Sequence, residues 1–339
     1  MSEPDEYIIE TVVPEEPRRE KRFPVFAQLA VLGLILVGIL GSTFAPKFIS
    51  NQRAVATKQA TESAPLVIAE TTIQTIPEIS TLPLSAASVY VYDVRAKRAL
   101  YSKNPDTVLP LASITKLMTA LIAHELVATN KTVIIPKAAI SQSGSSGLSE
   151  GERFSIAALS KYAVLASSND AAYALASAVG AVIDDTKNPN QTFVKAMNIR
   201  AQELGLPNLH FSNPTGLDMS PTEAGAVGTA REISFLMEYI ITTYPEILTP
   251  TTDASARVYN ADGAYHAAEN TNPIIGTIPN LLGSKTGYTD LAGGNLTIAF
   301  DAGYNRPIII TVLGATYDGR FADVQKLVNA VTAAFAAPQ

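Results

Sequence analysis

The chain has 339 residues, 47% of them hydrophobic and 17% charged, with a formal net charge of -6 and no cysteine. That balance supplies a large core and offers no basic face for nucleic acid. It also excludes disulfides, a thiol nucleophile and cysteine-ligated zinc.

The opening segment is acidic, then basic at Arg18, Arg19, Lys21 and Arg22, and leads into an apolar run over residues 26–44 broken only by Gln28, Ser42 and Thr43. As a helix the run is about 28 Å long at ~1.5 Å per residue, against a hydrocarbon core of ~30 Å. It is apolar all round, unlike a surface helix. It is also longer than the apolar part of a cleaved signal peptide, about 7–15 residues. The expectation is one uncleaved transmembrane anchor. Because the basic cluster sits tightly before the run, whereas Lys47, Arg53 and Lys58 are spread out after it, residues 1–25 are expected to be a cytoplasmic tail. The remainder would lie outside a bacterial cell membrane. Residues 45–85, rich in Ala, Thr, Ser, Ile and Pro, read as a linker to a domain over 86–339.

In that domain Val89 and Val91 alternate with Tyr90 and Tyr92, and Arg98 to Tyr101 follow after a short turn, which predicts a strand hairpin. Ile114, Leu117, Met118, Leu121 and Ile122 recur at helical spacing after Pro110, so a helix begins near Ser113. A long, mostly helical middle follows. Residues 281–289, 295–302 and 307–315 then read as three antiparallel strands, and Phe321, Val324, Leu327, Val328 and Phe335 as an amphipathic helix covering one sheet face. The predicted class is α+β, an antiparallel sheet assembled from both ends of the domain and flanked by helices, with a helical subdomain inserted.

Three short patterns carry chemistry. Ser113 and Lys116, three apart at a helix start, place a hydroxyl and an amine on nearly the same face. For Lys116 to take the serine proton it must be partly neutral, which desolvation or a second cation, with Lys285 the natural one, would bring about. Ser167 and Asn169 follow an apolar segment and sit at a turn between helices, where a plain cap is the bland alternative. The same pattern at Ser102-Lys103-Asn104 precedes the nucleophile at a strand end and is discounted. Lys285-Thr286-Gly287, followed by Tyr288 and Thr289, occurs once and lies on a predicted strand. A strand edge offers backbone groups to an extended peptide, glycine allows close approach, and Lys285 with Thr286 suits a carboxylate.

In this order the patterns resemble those of the penicillin-recognising serine DD-peptidases, of the low-molecular-weight D-alanyl-D-alanine carboxypeptidase type. The resemblance runs from about Ala86 to the C-terminus. It extends to the surrounding residues 111–119, 167–172, 213–217 (Asn-Pro-Thr-Gly-Leu), 283–289 and 313–316. It implies a serine β-lactamase/DD-peptidase-like fold. The substrates implied are peptidoglycan stem peptides ending in D-Ala-D-Ala, with β-lactams as inhibitors and no cofactor. It further implies Ser113 as the acylated nucleophile, Lys116 as its base and Ser167 as the proton relay. Asn169, Lys285, Thr286, Gly287 and Tyr288 would bind substrate, with the backbone N–H groups of Ser113 and Tyr288 as the oxyanion hole.

Two departures stand out: Ser168 occupies a position where relatives commonly have glycine, and the chain stops after one helix where many relatives continue into a β-rich domain and a C-terminal anchor. A hydrogen bond or a narrower site is expected from Ser168, and different reach and partner contacts from the shorter end. A class A β-lactamase would need a Glu-x-x-Leu-Asn segment, which the sequence lacks. A membrane-tethered penicillin-binding scaffold with little turnover is the non-enzymatic alternative. His124, His210 and His266 are isolated and predict no metal site. Residues 141–151, rich in Ser and Gly, read equally as a mobile loop near the site or as a phosphate cradle, with no Walker pattern present, and Tyr265, His266 and residues 270–273 are candidates for the site's border.

Overall fold

A computed structural model describes residues 76–144, 146–184 and 188–336. Its centre is a five-stranded antiparallel sheet of β1 (Ser88–Asp93), β2 (Arg98–Lys103), β3 (Leu281–Thr289), β4 (Gly293–Asp301) and β5 (Pro307–Ala315), in the spatial order β3-β4-β5-β1-β2. The hairpin from the start of the domain thus pairs with the last strand of the chain, Tyr90 opposite Thr311. Between β2 and β3 lie α1 (Lys116–Leu126), α2 (Ile156–Leu165), α3 (Asn169–Ile183), α4 (Pro189–Glu203) and α5 (Ala230–Thr243). The domain closes with α6 (Gly319–Ala336). This is the predicted α+β arrangement.

Both faces of the sheet are covered. Tyr90, Tyr92, Ala299 and Ile309 point to the face under α5 and join the core of the helical subdomain, with Phe235 edge-on to both tyrosine rings. Val89, Val91, Ile298, Phe300 and Ile310 point to the other face and pack with Val324, Leu327, Val328 and Val331 of α6. The Val/Tyr alternation in β1 therefore separates two buried faces, and every residue of β1 is buried.

The linker reading up to residue 85 runs past the start of the packed body. A helical turn, Pro77–Ser80, places Ile79 in the core beside Ile76. Ser85 Oγ donates to Asp323 Oδ2 (2.9 Å) and Lys103 Nζ to the Ala86 carbonyl (2.7 Å), so this stretch is fastened to the sheet edge and to α6. Low charge and absent periodicity did not disclose a segment held by two isoleucines and backbone bonds. The apolar run over 26–44 lies outside the described residues. Among those described, no helix is long and apolar enough to cross a membrane.

Candidate active site

Ser113 sits in a short 3-10 turn, Ala112–Thr115, that runs directly into α1. Ala112 has φ 49°, a left-handed conformation uncommon for a residue with a side chain. It is held there by its surroundings: Leu111 N–H donates to Ala226 O (3.0 Å) and Thr115 Oγ1 to Ala112 O (2.7 Å). Gly216 lies so close that a Cβ there would stand 1.9 Å from Ala112 O. Strain of this kind, imposed from several sides, fixes the nucleophile's direction.

Lys116 is fully buried, and its Nζ has three partners: Ser113 Oγ (2.7 Å), Asn169 Oδ1 (2.7 Å) and Thr215 O (2.8 Å). Two of these are carbonyl-type oxygens and can only accept. A neutral amine has two N–H bonds and one lone pair. With both N–H groups given to Asn169 and Thr215, the lone pair faces the Ser113 hydroxyl proton. Burial, and secondarily the charge of Lys285, holds the Lys116 pKa well below the usual lysine value, so the neutral form this geometry needs is accessible.

The Thr215 acceptor explains residues 213–217. Asn213 Oδ1 accepts from Thr215 N–H (3.0 Å), Thr215 Oγ1 (2.9 Å) and Gly216 N–H (2.7 Å), while Pro214 O accepts from Thr119 Oγ1 (2.6 Å). The loop is thereby clamped with one carbonyl aimed at the lysine.

Ser167 lies between α2 and α3 with φ 57°. Its Oγ accepts from Lys285 Nζ (2.9 Å), which leaves its own proton free to be donated. Ser168 turns the other way. With φ -60° it caps α3, its Oγ accepting from Ala171 N–H (3.0 Å) and bonding Ser146 Oγ. The expected hydrogen bond exists, but it fastens a helix and a loop and does not narrow the site. Asn169 Nδ2 donates to Ser143 O (2.8 Å), so of the two readings of the Ser/Gly-rich stretch the one as a loop near the site fits its described residues.

The Lys-Thr-Gly segment is on β3, the sheet's edge strand, and packs against the serine turn. A Cβ on Gly287 would lie 2.8 Å from Leu111 O and 3.2 Å from Ser113 N, so only glycine permits this approach. Lys285 Nζ also donates to Thr286 O (2.9 Å). Burial first, and the Arg320 charge second, push its pKa down to about 7. Tyr288, 46% exposed, flanks the opening with its ring edge-to-face on Tyr317.

All eight predicted site residues therefore converge. Thr271 is an addition: its Oγ1 lies 2.5 Å from Thr286 Oγ1, and its N–H donates to Leu165 O (3.3 Å). A threonine in a loop carries no signature of its own, although residues 270–273 fell within the suspected border. Of the isolated histidines, His266 Nε2 bonds the Glu152 carboxylate (2.9 Å) and His124 Nδ1 lies 2.9 Å from Ala120 O. Next to the lysine–serine pair, a cleft of about 1230 Å³ is lined by Ser143, Thr215, Asp218, Tyr288, Thr289 and Asp290, among others.

This arrangement matches a known family. The family model of peptidase S11, D-alanyl-D-alanine carboxypeptidase, matches residues 73–317. The chain belongs to this family. It is 29% identical over 314 residues to D-alanyl-D-alanine carboxypeptidase DacF of Bacillus subtilis, covering 88% of this chain and 70% of that one. It is 31% identical over 239 residues to a D-alanyl-D-alanine endopeptidase of Pseudomonas aeruginosa, covering 68% and 72%. Among solved structures, ampicillin-bound penicillin-binding protein D2 of Listeria monocytogenes superposes with a TM-score of 0.62 at 31% identity, over 74% of this chain and 98% of that chain. The fold is thus of the penicillin-binding DD-peptidase kind, and the matched region opens before Ile76, consistent with the packed start of the body.

Proposed function

We propose that this chain is a serine-type D-Ala-D-Ala carboxypeptidase that removes the terminal D-Ala of peptidoglycan stem peptides through an acyl-serine intermediate on Ser113. The observation that carries it is the Lys116 amine with two fixed carbonyl acceptors and the Ser113 hydroxyl as its third partner. Lys116 takes the Ser113 proton as Oγ attacks the penultimate D-Ala carbonyl. The oxyanion is received by the N–H groups of Ser113 and Tyr288. Lys285, Thr286 and Thr271 hold the terminal carboxylate, and Asn169, with a second amide hydrogen beyond the one given to Ser143, meets a substrate carbonyl. Ser167 passes its proton to the departing amine and is resupplied from Lys116. Free D-Ala leaves, and water then cleaves the ester with Lys116 again as base. The stem upstream of the scissile bond runs into the cleft past Tyr288 and Asp290.

β-Lactams acylate the same serine, and no carboxylate is among the partners of Lys116 to activate a water quickly against that ester. A time course with fluorescent penicillin and a D-Ala-D-Ala pentapeptide tests the reading. The expected result is durable label and released D-Ala, both lost in Ser113→Ala. Label that vanishes rapidly while drug is consumed in excess would replace it with a β-lactamase, and a folded protein taking no label would replace it with a scaffold.

The apolar run over residues 26–44 is proposed as a single-pass anchor with the N-terminus cytoplasmic and the peptidase domain outside the membrane. Its length, its all-round apolarity and the preceding basic cluster support this. Protease added to intact spheroplasts should degrade the domain; protection would refute the orientation.

A further inference from the structure

Arg320, at the start of α6, is 4% exposed, yet no carboxylate forms an ion pair with it among the described residues. Its guanidinium lies 4.4 Å from the Tyr317 ring centroid, 4.5 Å from Phe321 and 5.8 Å from Tyr288. Its Nε has no hydrogen-bond partner, and NH1 donates to Gly287 O at 2.6 Å. Tyr317 also hydrogen-bonds the guanidinium and Asp318 attracts it, but no carboxylate pairs with it directly. Burying a guanidinium with so little direct compensation is costly, and an apolar side chain would fill the same space at less cost. The arrangement is therefore explained by what its bond to the backbone does to Gly287.

In a planar trans peptide the C=O and the following N–H point in opposite directions. Gly294 of β4 is paired with Tyr288 and so directs its Cβ position to the sheet face opposite that of Gly287; a Cβ there would lie 3.2 Å from Arg320 Cδ, which puts Arg320 on that face. On the other face stands the serine turn, with Ser113 N 3.2 Å from where a Gly287 Cβ would be. A Gly287 carbonyl drawn toward Arg320 turns the Tyr288 N–H the opposite way, toward the face that carries the serine turn. Glycine, with no Cβ, is the residue whose peptide unit rotates most freely, so a fastening from outside the strand has the most to fix here. The aromatic rings around Arg320 limit its movement, and one of them, Tyr288, belongs to the residue whose N–H is being aimed.

We propose that Arg320 is a positioning residue of the oxyanion hole, holding the Gly287–Tyr288 peptide so that the Tyr288 N–H faces the acyl carbonyl. This rests on the acyl-serine reading above. It assigns a role to a residue beyond the three motifs, acting from behind the strand and without touching substrate.

The test uses the full chain and its Arg320→Met and Arg320→Lys variants. Active-site titration with fluorescent penicillin counts competent molecules, and rates are expressed per titrated site. Removing an oxyanion donor outright costs ~10²–10³ in kcat. Loss of its aim alone should lower kcat for D-Ala release by about 10- to 100-fold in Arg320→Met, with KM within about threefold. Arg320→Lys should recover part of that. The readout specific to the hole is the infrared band of a ¹³C-labelled acyl-ester carbonyl, which hydrogen bonding displaces to low wavenumber. The band should move up toward a free ester in Arg320→Met and partly return in Arg320→Lys. A parent-like band and per-site kcat in Arg320→Met, or a loss explained wholly by fewer titrated sites, would overturn the proposal. If Arg320→Met does not fold, Tyr317→Leu, which removes one face of the cage, should give a smaller shift in the same direction; a parent-like band there overturns it as well. A parent chain that neither acylates nor releases D-Ala would instead overturn the function on which the proposal stands.

Discussion

Replacing Ser168 with alanine separates a structural use of this residue from a catalytic one. Its Oγ accepts from Ala171 N–H as the cap of α3 and bonds Ser146, whose N–H and Oγ in turn donate to Asp170 Oδ2 (3.0 and 3.1 Å). Losing a serine N-cap to alanine costs about 1 kcal/mol. A part-buried neutral hydrogen bond is worth roughly another 1 kcal/mol. A total near 2 kcal/mol lowers Tm by about 4–8 °C in a domain of this size, at ~2–4 °C per kcal/mol. The Ser168 hydroxyl points away from Lys116 and Lys285, so acylation by penicillin should stay within about twofold of the parent. Scanning fluorimetry and stopped-flow labelling measure the two quantities on one preparation. Ser168→Gly should lose less from the cap itself, a few tenths of a kcal/mol. A tenfold change in acylation with Tm unmoved would refute this assignment and place Ser168 in the reaction.

Gly216→Ala should abolish penicillin labelling, because a Cβ 1.9 Å from Ala112 O must displace the serine turn or the loop carrying the Thr215 acceptor; normal labelling would show that this contact yields freely. Thr271→Val removes one of two hydroxyls 2.5 Å apart and should raise KM for D-Ala-D-Ala peptides roughly fivefold with little change in kcat, since one neutral hydrogen bond is worth about 1 kcal/mol; an unchanged KM would take Thr271 out of carboxylate binding. The pH profile of kcat/KM should be a bell. It falls on the acid side as Lys116 gains its proton, and on the alkaline side above about 7 as Lys285 loses its own. The alkaline limb of kcat should lie higher, because a bound carboxylate favours protonated Lys285; coincident limbs would separate Lys285 from carboxylate binding.

What the sequence disclosed depended on how local the chemistry is. Ser113 and Lys116 are one turn apart and Lys285 to Gly287 are contiguous, so residue type and spacing suffice, and the three late strands follow from periodicity with little shift in their ends. The third partner of Lys116 is different in kind: it is the backbone carbonyl of Thr215, which any residue type could provide. Residues 213–217 were visible as a resemblance, but the clamp by Asn213 Oδ1 that gives the loop its purpose arises only in three dimensions. Ser167 and Ala112 adopt left-handed conformations without being glycine, which residue identity does not signal. The cap expected somewhere around Ser167 and Asn169 falls to Ser168 between them, leaving its two neighbours for the site. Arg320 was inconspicuous for a related reason, since an arginine opening a helix reads as solvated until β4 and three aromatic rings are folded around it.

Two neighbouring buried lysines set the energetics of this site. The unfolded chain protonates both at neutral pH, whereas the fold depresses both, burial being the first cause in each case. Where the unfolded state binds more protons, stability rises with pH. For Lys285 the destabilisation is complete below about 7 and fades between there and the ordinary lysine value of 10.5. The fold therefore tolerates a standing loss of stability at working pH in order to keep an amine lone pair against the Ser113 hydroxyl. The partners of Lys285 are the Ser167 hydroxyl and the Thr286 carbonyl, neither of them charged. A substrate carboxylate supplies the missing anion and draws a proton back onto this lysine, relieving part of the loss. Terminal-carboxylate recognition and the charge of Lys285 are then one equilibrium, so a peptide whose last carboxylate is amidated forfeits the ion pair and also leaves the second cation partly unformed. The restored charge further opposes protonation of Lys116, so the ligand that fits the strand also helps to keep the base ready.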